Sequence, residues 1–228
     1  MIADAFAALS DVVSKPFRAI LLRTLGFTLA GLIALWIILV WVFNHFVTLP
    51  WGWAETTVDI IAGAGFVVAM VFLVAPVSSL VAGLFLDEIA EKVERTAFPS
   101  DPVGSPLPLP QVLVSSVKFF GVVILANLIA LVLLLLPGIN LVAFLLVNAY
   151  LLGREYFELA ALRFRPYDEA RTLRRAYAGQ VFGGGLIVAL FVMIPIVNLA
   201  TPLFATAFMV RLHKRISAQG RTSAQGAV

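Results

Sequence analysis

LLLLPGINLVAFLL, at Leu133–Leu146, decides the fold, because it sets a proline in the middle of a hydrocarbon-like run. A second stretch, FVMIPIVNLATPLF at Phe191–Phe204, repeats the device. In each, Asn-Leu follows three residues after the proline: Pro137 then Asn140-Leu141, and Pro195 then Asn198-Leu199. A helix does not pass a proline unchanged, since the ring removes a donor and clashes with the preceding turn. Neither break carries the charged loop of a hairpin that emerges into water. Paired interruptions in corresponding segments point to a transporter binding region. The plainer alternative is two tight helical hairpins whose kinks only shape packing.

The rest of the composition agrees with a bilayer setting. Of 228 residues, 61% are hydrophobic and 13% charged, with a mean hydropathy of +1.02. Soluble domains are roughly 45–50% apolar and about 25% charged, so the chain reads as an all-α, polytopic membrane protein. A single membrane domain is expected over residues 1–216, with a disordered polar tail from 217 to 228. No cysteine is present, which removes disulfides, thiolate metal sites and cysteine nucleophiles. His45 and His213 lie far apart, without metal-ligand spacing. No metal, cofactor or nucleic-acid partner is expected. The excess of basic residues flanks apolar runs, where it acts as a topology signal and contacts lipid headgroups.

In chain order, Ile2, Phe6, Leu9, Val12 and Val13 share a helical face, so Met1–Val13 suits an amphipathic helix in the membrane interface. Its Asp4 and Asp11 argue against a basic signal leader. Pro16 is placed to start the next helix, which enters an apolar run from Leu25 to about Val47. A second apolar span, broken at Pro76, runs from near Thr57 to about Leu86. It is expected to continue into water as DEIAEKVERTAF, with Glu88–Lys92 and Glu91–Arg95 at supportive i, i+4 spacing. Pro99 ends it, and a Pro-rich loop follows to Pro110; residues 87–110 form the cytoplasmic extension. Further apolar helices are expected at Gln111–Leu136 and from Asn140 to about Leu162, the latter leaving the membrane near Gly153. Tyr167–Gly179 reads as a solvent-facing helix. Gly183–Gly185 then opens a last apolar pair, broken at Pro195 and Pro202.

All 16 lysines and arginines fall in Lys15–Arg23, Lys92–Lys118, Arg154–Arg175 or Arg211–Arg221. The Thr48–Asp59 connection and both proline tips have none. The positive-inside rule therefore places both termini in the cytoplasm. Lengths then choose between architectures. The arms Asn140–Leu152, Val181–Ile194 and Asn198–Val210 offer ~20 Å of helix each, against the ~20 residues a full crossing needs. Two long transmembrane helices plus two proline-tipped, hemi-penetrating hairpins are favoured over six full spans.

Enzyme signatures are missing, and no catalytic residue is assigned. GGG lacks the strand and the Lys-Ser/Thr of a phosphate loop and reads as a close-packing site between helices; Gly63-Ala-Gly65 reads the same way. Anion handling has more support. Asn140 and Asn198 stand where helices restart, as favoured N-caps whose helix dipoles would point positive ends at the tips. Pro137, Gly138 and Asn140, with Pro195 and Asn198, are thus candidate pathway residues. Arg18 adds a cation just after the Pro16 helix start; a plain topology anchor is the alternative. Arg154 and Glu155, with Glu158, lie at a membrane boundary. Pairing with Arg163, Arg171, Arg174 or Arg175 would make a charged network able to gate a pathway, or one that merely solvates a helix end.

Three stretches carry a family likeness: FLVAPVSSLVAGLFLDEIAEKVE, LLPGINLVAFLLVNAYLLGREYFE and FVMIPIVNLATPLFATAFMVRLH. The more specific parts are Ala75-Pro76 with Leu80, Asp87 and Glu88, and the I-P-x-x-N-L tip. From about Ser14 to Arg215 the chain resembles the CysZ family of bacterial inner-membrane sulfate transporters, within a wider etoposide-induced-protein-like superfamily. The resemblance implies a sulfate permease for cysteine synthesis, two long spanning helices, two hemi-penetrating hairpins, and homo-oligomers in the lipid bilayer. The dual topology of some members conflicts with the one-sided charge here. The family's sulfate motif, Gly-Leu-Arg or Gly-Ile-Arg after a proline, falls on Ser14-Lys15-Pro16-Phe17-Arg18. Pro16 and Arg18 match, the glycine is absent, and Phe17 stands in its region, so Pro16, Phe17 and Arg18 are the candidate sulfate site. The alternatives are a carrier of another small anion and a non-transporting envelope scaffold.

Overall fold

The chain's computed structural model describes residues 1–46, 85–108, 139–194 and 197–225, with the single positions 63, 81, 110, 114, 117 and 121. Every regular element among them is helical. In order they are α1 (Ile2–Val12), α2 (Lys15–Phe46), α3 (Leu86–Ala97), α4 (Ile139–Leu162), α5 (Tyr167–Ala176), α6 (Ala178–Val192), a 3-10 turn (Val197–Ala200) and α7 (Thr201–Gln225). The span expected from Thr57, with its Pro76 break, lies outside the described residues, as do Pro137, Gly138 and Pro195.

α2 begins ten residues before the apolar run starts at Leu25. Pro16 occupies its first turn, where a missing N–H costs nothing, and the Arg18 amide donates to Ser14 at 3.0 Å to close that turn. Among the described residues, Lys15–Val42 is the helix long and apolar enough to cross a membrane. At 1.5 Å per residue it exceeds the ~30 Å hydrocarbon thickness. Leu22, Phe27, Leu29, Ile33, Trp36 and Trp41 all point outward. In water that surface would be a large aggregation liability; in lipid it is the expected one.

The centre of the protein is α7. Every residue from Thr201 to Val210 is buried, the mark of a helix enclosed on all sides. α1, α3, α4 and α6 pack around it. α6 returns antiparallel to it: Phe191 stacks on Phe204 with centroids 4.2 Å apart, while Gly184 faces Leu212 and Met209. α4 crosses α6 on bare backbone. A Cβ on Gly185 would sit 1.8 Å from the Ala149 carbonyl oxygen, and one on Gly153 would sit 2.7 Å from that of Val181. GGG is therefore a close-packing device, as read from sequence.

α1 lies along α7, burying Ala8 and Val12 and pairing Asp11 with Arg211 and Asp4 with Arg215. Ile2, Phe6, Leu9 and Val13 remain exposed. Val12 thus leaves the apolar face assigned to it and faces protein. α3 packs Ile89, Ala90 and Val93 inward, so it is amphipathic rather than fully solvated. It ends at Ala97, just ahead of Pro99.

Several boundaries differ from the sequence reading. α5 stops at Ala176, and the chain turns by 89° into α6, which claims Ala178 and Gly179. Pro202 does not interrupt a helix but lies in the first turn of α7. Asn140 lies within α4, whose described part runs from Ile139. The polar tail from Ser217 is helical through Gln225. Contacts hold it there: Arg165 donates to the Ser217 hydroxyl at 3.2 Å, and Gln180 to Gln219 at 3.4 Å.

Candidate functional site

Past Gly153, α4 turns from apolar to charged and carries Arg154, Glu155 and Glu158, with Arg163 in the turn just after its end. Its end, the loop after α3, and the start of α5 line a half-open cavity of about 600 Å³. Glu155, Glu158, Arg165 and Tyr167 supply the polar lining; Leu107, Leu159 and Leu162 supply much of the apolar lining.

The two glutamates are treated differently. Glu158 takes the cations: Arg174 from α5 at 2.6 Å and Arg154 at 3.7 Å. Glu155 has no ion pair or hydrogen bond among the described residues. Burial pushes its carboxyl up to about 7, the Glu158 charge adds to the rise, and Arg154 opposes it. It is a carboxyl able to change charge near neutral pH. Glu155 and Glu158 line the cavity, and Arg154 reaches it only through its pairing with Glu158.

Arg163, offered by sequence as a partner for these glutamates, goes elsewhere. Its guanidinium is buried and bridges to Glu94 through Nε–Oε1 at 2.9 Å and Nη2–Oε2 at 3.1 Å. It also pairs with Asp87 and donates to the Gly104 carbonyl at 3.2 Å. Glu94 in turn accepts the Gly104 amide at 2.8 Å, and Asp87 accepts that of Leu107 at 3.2 Å. The Pro-rich loop is thereby strapped across the end of α4. Gly104 is required there, because a Cβ would lie 2.7 Å from that of Arg163. Buried charges persist only when paired and hydrogen-bonded, and this network meets both conditions.

Next to it, His213 is buried between Phe157 and Phe164, 5.2 Å from the second ring. Burial, with Arg165 and Lys214 nearby, pulls its imidazole down to about 3. It is a neutral core histidine. Lys214 sits 4.2 Å over the Phe164 ring, bonds the Pro102 carbonyl at 3.1 Å and pairs with Asp101 at 3.3 Å. Sequence reasoning missed Glu94 and Gly104, which no local spacing singles out.

The other candidates lie apart from this cavity. At the start of α2, Arg18 and Pro16 are exposed while Phe17 is buried. Among the described residues the Arg18 guanidinium has no partner. Its own amide is committed to Ser14 at 3.0 Å, so Arg18 itself contributes side-chain charge. At the second tip, Asn198 caps no helix by itself. Its amide donates to Ile194 at 2.8 Å, and its side-chain oxygen accepts the Thr201 hydroxyl at 3.1 Å.

An enclosed helical core, a long lipid-suited helix and charges gathered beyond the apolar segments define a helical membrane protein. Residues 4–202 match the family described as sulfate transporter CysZ/etoposide-induced protein 2.4, and the chain belongs to that family. This is a transporter-type family rather than an enzyme family. No curated protein matches the chain closely enough to add a nearer relative.

Proposed function

We propose that this protein is a multi-pass permease of the bacterial inner membrane that brings sulfate, or a closely related oxyanion, into the cell for cysteine synthesis. Family membership over residues 4–202 is the observation that carries the reading. The remaining features are compatible with it. In this reading both termini are cytoplasmic, the two proline hairpins penetrate the bilayer partway, and copies of the chain assemble. The exposed face of α1 rests in the lipid interface. Arg18 attracts the anion by charge, and the tips at Pro137–Asn140 and Pro195–Asn198 line its passage. Water and fixed dipoles offset the desolvation of a divalent anion, which unpaired burial would make very costly. The cavity at Glu155 forms the cytoplasmic mouth, and Arg154 and Glu155 set its charge.

The test is sulfate flux into proteoliposomes of the purified protein, beside empty liposomes and Arg18→Ala. Flux that falls in the variant supports the permease and its entry at Arg18. Flux that the variant leaves unchanged keeps transport and moves the entry. With folded, inserted protein, flux no higher than in empty liposomes overturns the reading in favour of a scaffold or another solute.

A further inference from the structure

Thr206 lies in the enclosed part of α7, only 7% exposed, and its hydroxyl has no hydrogen-bond partner among the described residues. Thr24 and Thr28 of α2 share this condition, whereas Thr96 bonds back to the Lys92 carbonyl at 2.7 Å and Thr172 to that of Asp168 at 2.8 Å. An orphaned buried hydroxyl costs free energy that a valine of the same shape would avoid.

Thr206 also lines a second, small cavity of about 20 Å³. Asp87, Arg163 and Tyr156 share that lining. The Asp87 carboxylate has lone pairs to spare beyond its bonds to Arg163 and Leu107. Tyr156 makes no side-chain hydrogen bond among the described residues. A space of ~10–15 Å³ or more with two to four polar neighbours is what a buried water requires.

We infer that this chamber is a structural water site joining Thr206 to the Asp87–Arg163 ion network, with Tyr156 as its third polar neighbour. It is a site for water and not for the oxyanion. The volume is too small for a tetrahedral anion, and one guanidinium beside Asp87 and Glu94 leaves a net negative charge. Both cavities are lined by Leu107 and Leu159, so the chamber adjoins the larger one. The water gives the central helix a polar tether to the strap at the point where it makes no direct bond to it.

The experiment compares thermal unfolding of the full-length protein in detergent with Thr206→Val and Thr206→Ser. Valine keeps the shape and removes the hydroxyl. A bridging water predicts that Thr206→Val lowers Tm by roughly 2–4 °C while Thr206→Ser stays close to the parent. A valine variant as stable as the parent, or more stable, shows the hydroxyl to be dry and overturns the site. Should Thr206→Val fail to fold, a wild-type structure at water-resolving resolution decides. Solvent density within ~2.7–3.2 Å of Thr206 Oγ1 sustains the proposal, and its lack refutes it.

Discussion

Arg163 and Glu94, 69 residues apart in sequence, meet as a two-pronged ion pair with side-chain exposures of 3% and 1%. The pair joins the end of α4 to α3, and through Gly104 it fixes the strap between them. Its geometry is that of fork to carboxylate, the arrangement in which arginine is not replaceable by lysine.

Removing one partner leaves the other charge buried without its counterpart. Glu94→Ala also orphans the Gly104 amide. Each of Arg163→Met and Glu94→Ala is expected to cost about 3–5 kcal/mol. The double variant Arg163→Met, Glu94→Leu is expected to recover much of that loss, because a packed apolar pair avoids the desolvation penalty. Thermal unfolding in detergent measures all three, and a double variant no more stable than the singles would contradict this account.

The α4–α6 crossing depends on two glycines. Gly185→Ala drives a methyl group into the Ala149 carbonyl, a backbone atom that no rotamer change can move aside. A loss of about 3 kcal/mol or more is expected, at the upper end for overpacking. Gly179→Ala, in the same helix but with nothing among the described residues within 4 Å of its Cβ position, is the control. It is expected to stabilise by roughly 0.5–1 kcal/mol through helix propensity. Equal effects of the two substitutions in an unfolding assay would remove the crossing as the cause.

How far the fold is legible in sequence depends on how local its causes are. Pro16 starts α2, Pro99 follows the end of α3, and GGG packs backbone on backbone, because each rests on a residue's own sterics. Charge partners are another matter. Spacing favours both Glu88–Lys92 and Glu91–Arg95, and the second forms at 2.7 Å. Glu88 instead reaches Arg23, 65 residues away, at 3.5 Å. Arg163 sits in a stretch, GREYFELAALRFRP, whose polarity reads as solvated. Only the arrival of α3 and its loop buries that side chain. The same holds for the tail, whose small polar residues read as disorder until Arg165 and Gln180 are brought against it. Of the candidate site, the Arg154–Glu155 boundary was visible from the change in polarity, whereas the division of labour between Glu155 and Glu158 was not.

The acidic residues of α1 explain its position on α7. Asp4 and Asp11 are about two turns apart and meet Arg215 and Arg211 in antiparallel order. These pairs are partly exposed, so each contributes on the order of 0.5–1 kcal/mol and is weakened by salt. Reversing both, with Asp4→Lys and Asp11→Lys, is expected to release α1 without unfolding α7. Hydrogen exchange should accelerate in residues 2–12 and stay slow in 203–210. Adding Arg211→Asp and Arg215→Asp is expected to restore much of the protection. Unchanged exchange in α1 after the first reversal would mean that Ala8 and Val12 hold the helix unaided.

Glu155 makes stability depend on pH in a direction opposite to that of a paired carboxylate. Its folded pKa, about 7, lies above the ordinary value of 4.5 because burial and Glu158 disfavour the charge. Between those values the unfolded chain has released the proton while the folded chain retains it. The contribution of this group is therefore most favourable below about pH 4.5, and is lost progressively as pH rises through 7. Glu155→Gln keeps the neutral shape at every pH. It is expected to leave Tm unchanged near pH 5 and to raise it by several degrees at pH 8, where the parent must hold a buried carboxylate. Unfolding of both proteins across this range provides the measurement. A glutamine variant with the same pH profile as the parent would show that Glu155 carries an ordinary, solvated charge.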